Sequence, residues 1–222
     1  MTAVRVKICG LTRRPDAELA AASGAHYGGV ILAPGGRRSI DLAAAAEVLD
    51  GLPLRRVGVF VDATVEEMRR AAHIVSLDVL QLHGSELPET AQQLRSEGRW
   101  EVWKALRPRP GMDLVTELRR YAGRVDGILL DGWSPSAPGG TGTPFPWEAV
   151  APHRDAIPPR VSLVVAGGLS PSNVRAAIEL LRPDVVDVSS GVEDSPGVKN
   201  ADAVTAFISA ALDAVADPFP RS

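Results

Sequence analysis

Two side chains in this 222-residue sequence could act as an acid and a base, and both follow short apolar segments. Cys9 precedes a Gly–Leu–Thr turn, and Asp131 directly follows residues 127–130. A thiolate can accept a proton, and a carboxyl group at the end of a buried strand can have a raised pKa and act as an acid. The alternatives are a small buried thiol and a carboxylate that caps a loop. A reactive cysteine needs a lowered pKa, so the sequence leaves both interpretations of Cys9 open.

Glycine-rich turns follow two later apolar segments. Gly167 and Gly168 follow residues 163–166, and Ser189, Ser190 and Gly191 follow residues 185–188. Backbone N–H groups in such turns bind phosphate, although a glycine pair alone can simply make a tight turn. Adjacent strand ends with this composition predict a phosphate site. A further glycine-rich stretch offers additional flexible amides, at Gly140 and Gly142.

The elements that must position these residues alternate regularly along the chain. Eight apolar segments are typical of buried strands: residues 4–8, 28–32, 57–61, 77–82, 102–106, 127–130, 163–166 and 185–188. Amphipathic segments between them predict helices over residues 15–23, 42–49, 65–74, 88–97, 114–121, 173–181 and 203–215. This alternation predicts an α/β fold, a single-domain parallel (βα)8 TIM barrel over residues 1–222, with the active site where the strands end. An open doubly wound sheet has a similar local pattern and is the alternative fold.

Composition excludes several classes of function. The net charge is −3 and basic residues are scattered among acidic ones, so we expect no nucleic-acid partner. The N-terminal segment lacks the apolar region of a signal peptide, and no stretch approaches the ~20 apolar residues of a membrane span, so we expect a cytoplasmic protein with no membrane partner. The single cysteine excludes an intrachain disulfide and a multi-cysteine metal site.

Taken in order, the motifs of this chain closely resemble the phosphoribosylanthranilate isomerase family. The matching segments span nearly the whole chain: KICGLT at 7–12, VGVFVD at 57–62, LQLHG at 80–84, LLD at 129–131, GGTG at 139–142, AGGL at 166–169 and VVDVSSG at 185–191. Each motif alone is weak, but the ordered set is specific. The resemblance implies a TIM barrel.

The resemblance also implies an activity. Members of the family convert N-(5-phosphoribosyl)anthranilate to 1-(2-carboxyphenylamino)-1-deoxyribulose 5-phosphate by an Amadori rearrangement in tryptophan biosynthesis. By position, Cys9 matches the family's general base and Asp131 its general acid. No metal or organic cofactor is expected, because the iminium nitrogen of the substrate serves as the electron sink. The expected partner is a small phosphoribosyl substrate, and the sequence does not indicate an association with other tryptophan-pathway enzymes.

One segment departs from the family pattern. Many members have a Ser-Pro-Arg segment after the second strand, whose arginine binds the anthranilate carboxylate, whereas this chain has PGGRRSI at 34–40. Alignment on Ile40 makes Arg38 the expected anchor, and Arg37 is a close rival. A guanidinium at either position could bind a carboxylate through two hydrogen bonds.

Two other enzyme functions and one binding function remain alternatives. The histidine-pathway isomerase performs an analogous reaction but generally uses two aspartates, and a bifunctional form would serve both pathways; Cys9 favours the anthranilate substrate. A non-catalytic phosphate-binding module would not need Cys9 and Asp131 together.

His83 is interpreted as polar lining of the cavity rather than as a group that transfers protons.

Strand alternation gives one structural prediction. Lys7 shares a face with Cys9, and Asp187 shares a face with Ser189, so both charges should point into the barrel. Closure sets the first strand beside the last and predicts a Lys7–Asp187 ion pair. The alternative is that each pairs with a different interior group, such as Gln81.

Overall fold

A computed structural model describes residues 4–109, 111–132, 147–158 and 160–216 of the chain. Eight parallel strands form a closed barrel in chain order, and the first strand pairs with the eighth through Arg5–Val185, Val6–Val186, Lys7–Asp187 and Ile8–Val188. The predicted parallel barrel is therefore confirmed, and the open-sheet alternative is wrong.

The strands and helices alternate along the chain. The barrel strands are β1 (Arg5–Cys9), β2 (Tyr27–Ile31), β3 (Arg55–Phe60), β4 (Val79–Leu82), β5 (Glu101–Leu106), β6 (Gly127–Leu130), β7 (Ser162–Val165) and β8 (Val185–Val188). The helices are α1 (Arg14–Ala22), α2 (Leu42–Leu49), α3 (Val65–Val75), α4 (Pro88–Arg95), α5 (Leu114–Tyr121), α6 (Trp147–Val150), α7 (Val174–Leu181) and α8 (Ala201–Ala216). No helix among the described residues is long and apolar enough to cross a membrane.

Two separate apolar layers hold the barrel together. The larger lies between the strands and the helices, and the smaller fills the barrel interior with Tyr27, Val57, Val79, Trp103, Ala105, Leu129, Val164, Ala166 and Val185. Inward and outward side chains alternate along each strand, so every strand except β1 supplies apolar side chains to both layers. Trp103 is fully buried and contacts Tyr27 edge to face with ring centroids 5.2 Å apart, which closes the interior below the site.

Local sequence sets where several helices begin. Thr64 and Glu67 form a reciprocal capping box at the start of α3, and Asp41 caps α2 by accepting from the Ala44 N–H at 2.9 Å. Such caps satisfy backbone N–H groups that have no partner within the helix. They fix the residues at which the loops after β2 and β3 end and the helices begin.

The chain beyond β8 contains an element that apolar periodicity does not predict. Residues Ser190–Val192 form a short 3-10 helix, and β9 (Glu193–Ser195) then pairs antiparallel with β10 (Val198–Lys199). This small hairpin carries Glu193 and Lys199 back towards the end of β1. A second 3-10 helix, Ala151–Ala156, follows α6 and was likewise not predicted.

Candidate active site

A buried ion pair lies next to Cys9. Lys7 Nζ is 2.9 Å from Asp187 Oδ2, and the two side chains are 0% and 7% exposed. The predicted Lys7–Asp187 pair is therefore confirmed. A Cβ on Gly29 would lie 3.1 Å from Cys9 Sγ and 3.2 Å from Lys7 Nζ. The thiol and the ammonium group therefore both lie next to Gly29 of β2. Glycine on β2 provides the space for both.

The surroundings of Cys9 act on its pKa in opposite directions. Burial has the largest effect and raises the pKa, while the positive charges of Lys7 and Lys199 oppose it and Asp187 adds to the increase. The pKa of Cys9 is therefore above its ordinary value, and the protonated thiol is the resting form at neutral pH.

Lys199, from the hairpin, completes this side of the site. Its ammonium donates to the backbone carbonyls of Cys9 at 2.6 Å and Ser189 at 3.2 Å, and to Glu193 Oε1 at 2.7 Å. The ends of β1 and β8 are thus joined through one buried cation. We call the group Lys7, Cys9, Asp187 and Lys199 the base side of the site.

Asp131 has three polar neighbours. Its Oδ1 accepts the Gly132 N–H at 2.8 Å, and its Oδ2 lies 3.2 Å from His83 Nε2 and 3.7 Å from Arg107 Nε. His83 follows β4 and Arg107 follows β5, so three consecutive strand ends converge here. We call the group His83, Arg107 and Asp131 the acid side.

The expectation of a raised pKa for Asp131 is wrong for the free site. Burial does raise the pKa, but the hydrogen bond and charge of His83, the charge of Arg107 and the Gly132 N–H together outweigh it. The pKa of Asp131 lies below its ordinary value, so the carboxylate is the resting form. Strand position alone could not show this, because the cations come from other strands.

The glycine turns after β7 and β8 are in direct contact. Gly167 has φ +79°, and a Cβ there would lie 2.1 Å from the Gly132 backbone nitrogen; Gly168 has φ +70°. A Cβ on Gly191 would lie 1.9 Å from the Leu169 carbonyl oxygen. A side chain at Gly167 would therefore push the turn after β7 away from Gly132, and a side chain at Gly191 would push the turn after β8 away from Leu169.

Serines follow β8 at the same edge. Ser189 precedes the 3-10 helix that begins at Ser190, and the Ser189 hydroxyl oxygen is buried without a hydrogen-bond partner in the described part of the chain. A buried hydroxyl without a partner within the protein can bind a polar ligand. The other two predicted glycines, Gly140 and Gly142, lie outside the described residues.

Arg38 reaches over the end of β1 and is bound by Glu193. Arg38 Nε and Nη2 donate to the Glu193 carboxylate at distances of 2.7–3.0 Å, and Lys199 contacts the same carboxylate. A Cβ on Gly10 would lie 2.7 Å from Arg38 Cδ and 2.9 Å from Ser189 Oγ, which locates the arginine beside the β8 turn. Arg37 is exposed to solvent.

Glu193 uses only one edge of the Arg38 guanidinium. The bonds involve Nε and Nη2, so the edge formed by Nη1 and Nη2 stays available for a second carboxylate. Burial raises the pKa of Glu193, but the hydrogen bonds and charges of Arg38 and Lys199 outweigh it, and the pKa lies below its ordinary value.

This arrangement of a carboxylate, a thiol and glycine turns at one end of the barrel can be compared with known proteins. A family model described as N-(5'phosphoribosyl)anthranilate (PRA) isomerase matches residues 6–210. The chain belongs to the N-(5'-phosphoribosyl)anthranilate isomerase family. A family member from Rubrobacter xylanophilus is 44% identical over 209 residues, which cover 93% of this chain and 98% of the relative.

Solved structures of this isomerase family have the same fold. The phosphoribosyl anthranilate isomerase from Thermotoga maritima is 39% identical, with a TM-score of 0.84 over 94% of this chain and 98% of that chain. Another family structure, 37% identical with a TM-score of 0.81 and the same coverage, is a complex with reduced 1-(o-carboxyphenylamino)-1-deoxyribulose 5-phosphate.

Sequence reasoning did not identify every polar residue of this family member's site. Arg107, Glu193 and Lys199 were not predicted, and Gln81 was considered only as an alternative ion-pair partner. Arg107 directly follows β5 at the strand end where functional residues concentrate, which was an available signal. Glu193 and Lys199 had no periodic signal, because their hairpin strands are three and two residues long.

Proposed function

We propose that Cys9 is the general base and Asp131 the general acid with which this isomerase rearranges N-(5'-phosphoribosyl)anthranilate. The observation that carries the proposal is that a thiol beside Lys7 and a carboxylate beside His83 stand at strand ends around the mouth of one barrel. A binding protein would need neither group.

The reaction requires one proton to be given and one to be taken. Asp131 gives a proton to the ring oxygen of the ribose, the bond from that oxygen to the first carbon breaks, and a Schiff base forms. The Cys9 thiolate then takes the proton from the second carbon, and the electrons move towards the iminium nitrogen. The resulting enolamine tautomerises to the ketone, so atoms and charge balance without an added cofactor.

The resting protonation states are the reverse of the reactive ones. Burial favours the Cys9 thiol, and the cations at the acid side favour the Asp131 carboxylate. A positively charged iminium close to the thiol favours the thiolate, because an opposite charge stabilises an ion. Asp131 must therefore take up a proton from solvent or a neighbouring group before it can act as the acid. We infer that Cys9 releases its proton to solvent and becomes an effective base after the sugar ring has opened.

The phosphate and the anthranilate carboxylate have separate proposed sites. Backbone N–H groups of Gly167, Gly168, Ser190 and Gly191, with the Ser189 hydroxyl, bind the phosphate, and Gly140 and Gly142 supply further amides. Arg38 binds the carboxylate through the edge of its guanidinium that Glu193 leaves available. The two sites adjoin at the end of β1, because a Cβ on Gly10 would contact both Arg38 Cδ and Ser189 Oγ.

Loss of phosphoribosylanthranilate fluorescence measures the proposed activity. Cys9→Ala and Asp131→Asn should each lower kcat by roughly 100-fold or more, which is typical of a lost acid or base. Asp155→Asn is a matched control, because Asp155 is exposed on the 3-10 helix after α6. Full turnover in either folded site variant would show that the assigned residue does not transfer the proton.

Two further parts of the proposal concern selectivity and location. Because only one glycine-rich phosphate cradle is evident, at residues 167–168 and 189–191, we expect little turnover of the histidine-pathway substrate, which carries two phosphates. Equal kcat/KM values for the two substrates would make the enzyme bifunctional. We also propose a cytoplasmic location, which cell fractionation with antibody detection tests.

A further inference from the structure

His83 connects Asp131 with a buried amide that the proposed chemistry does not use. His83 Nε2 lies 3.2 Å from Asp131 Oδ2, and His83 Nδ1 lies 2.9 Å from Gln81 Nε2. Both distances permit hydrogen bonds. The three side chains form a continuous chain from the barrel interior to the mouth.

The Gln81 amide has a second orientation that changes the state of the ring. Gln81 is 1% exposed, and its Oε1 has no hydrogen-bond partner within the described chain. The oxygen and nitrogen of an amide have nearly the same size, so exchanging them keeps the same packing. With Oε1 towards the ring, Gln81 accepts the Nδ1–H of His83, and the amide nitrogen takes the position in which the oxygen had no partner within the described chain.

This orientation allows the ring to carry two protons. Nδ1–H then donates to Gln81 and Nε2–H donates to Asp131, which together define an imidazolium. Arg107 Nε, 3.7 Å from the same Asp131 oxygen, also favours the carboxylate form of Asp131. The proton that the acid needs is thereby held on the neighbouring ring.

We propose that Gln81 and His83 are positioning residues that hold a proton beside Asp131 and supply it when the sugar ring opens. This proposal rests on the proposed role of Asp131 as the acid. His83 Nε2 passes its proton to Asp131 Oδ2, and the carboxylic acid so formed gives the proton to the ring oxygen as the carbon–oxygen bond breaks. Asp131 returns to the carboxylate and His83 becomes neutral.

Every proton that moves in one turnover has a source and a destination. The resting Cys9 thiol releases its proton to solvent when the iminium forms and regains one from the second carbon of the substrate, and His83 regains from solvent the proton that it gave to Asp131. The His83 side chain is 16% exposed, which permits this exchange. No oxidant, reductant or metal takes part.

Five charged side chains lie on the segments next to His83. Asp131 contacts the ring, and Arg107 lies 3.7 Å from the same Asp131 oxygen. Asp62, Glu86 and Lys104 hydrogen-bond to the backbone of Gly84 or Ser85, the two residues that follow His83. Lys104 and Glu86 pair with each other at 2.9 Å and are nearly fully buried.

Replacing His83 with asparagine separates proton supply from simple hydrogen bonding. An asparagine amide can still donate to Asp131 but has no proton to transfer at neutral pH. We expect kcat of His83→Asn to fall roughly 100-fold, with KM within about threefold of wild type. His73→Asn is the matched control, because His73 is exposed on α3.

The fluorescence assay distinguishes failure of the proposed role of His83 from failure of the proposed role of Asp131. If Asp131→Asn is inactive while His83→Asn keeps wild-type kcat, the positioning role is wrong and the role of Asp131 stands. If Asp131→Asn remains active, the acid has been assigned wrongly, and the role of His83 falls with it.

Gln81 variants and nitrogen NMR test the source of the proton. Gln81→Met removes the Nδ1–H acceptor and should move the alkaline limb of the kcat/KM profile about one pH unit lower, whereas Gln81→Glu should move it higher. In the wild-type enzyme, ¹⁵N spectra should show both His83 ring nitrogens protonated at the pH of full activity. A neutral ring across the active pH range would overturn the proposal even if the Gln81 variants fail to fold.

Discussion

The base side and the acid side meet at one barrel mouth but are built differently. On the base side, Lys7 is fully buried and Asp187 is 7% exposed, and both lie within barrel strands. On the acid side, His83 is 16% and Arg107 29% exposed, and both follow their strands. Lys7 and Asp187 are therefore part of the folded core. On the acid side Asp131 is also buried, with 11% of its side chain exposed, but its neighbours His83 and Arg107 are partly accessible to solvent.

Because of this difference, we expect substitutions on the base side to affect folding stability and substitutions on the acid side to affect turnover. A buried charge that loses its partner has no water to replace it, so removing one member of the base side should weaken the fold. A partly exposed group can be solvated when its neighbour is removed, so changes on the acid side should act mainly on turnover.

The largest expected effect is on folding stability at Lys7. Lys7→Met leaves Asp187 buried without its 2.9 Å partner and should lower the free energy of unfolding by about 3–5 kcal/mol in urea denaturation. Asp131→Asn, on the acid side, should change it by no more than about 1 kcal/mol. The double variant Lys7→Met/Asp187→Leu should recover most of the loss. Equal destabilisation by Lys7→Met and Asp131→Asn would remove the distinction between the two sides.

A smaller effect is expected on the reactivity of Cys9. Since burial raises the pKa of Cys9, alkylation by iodoacetamide should be slow at neutral pH and accelerate as pH rises. Lys7→Met removes a charge that opposes this increase, so alkylation at neutral pH should slow roughly tenfold, as for a pKa change of about one unit. Mass spectrometry measures the rate, and a faster reaction in Lys7→Met would contradict the assigned role of the lysine.

The smallest expected effect is at Glu193, which orients Arg38. Glu193→Gln weakens the charged hydrogen bonds to the guanidinium, so KM should rise about fivefold with kcat nearly unchanged. Asp194→Asn, an exposed neighbour in the same hairpin, is the control. A fall in kcat without a change in KM would place Glu193 in the chemical step instead.

The Glu193–Arg38 ion pair also makes the folding stability depend on pH. The pKa of Glu193 is below its ordinary value, so its contribution to stability is present above about pH 4.5. It is lost as pH falls through the lower pKa of the folded state. Urea denaturation of Glu193→Gln should therefore show a weaker loss of stability on acidification than the wild-type protein shows.

The sequence by itself determined the alternation of strands and helices and much of the base side, and the family resemblance favoured a closed barrel over an open sheet. Eight apolar segments separated by amphipathic ones require a parallel sheet, and closure joins the first strand to the eighth. Strand alternation then directs Lys7 and Asp187 inwards, which is why their ion pair could be predicted before the structure. These relations depend on periodicity, and periodicity is visible in a sequence.

Only the tertiary structure decided the surroundings of Asp131 and Arg38. His83 and Arg107 approach Asp131 from loops after two other strands, and Glu193 reaches Arg38 from a short hairpin 155 residues further along the chain. Loop conformation depends on local dihedral angles and on contacts distant in sequence rather than on apolar spacing. The direction in which the pKa of Asp131 shifts follows from those contacts, so the sequence could indicate Asp131 as a candidate acid but not its resting charge.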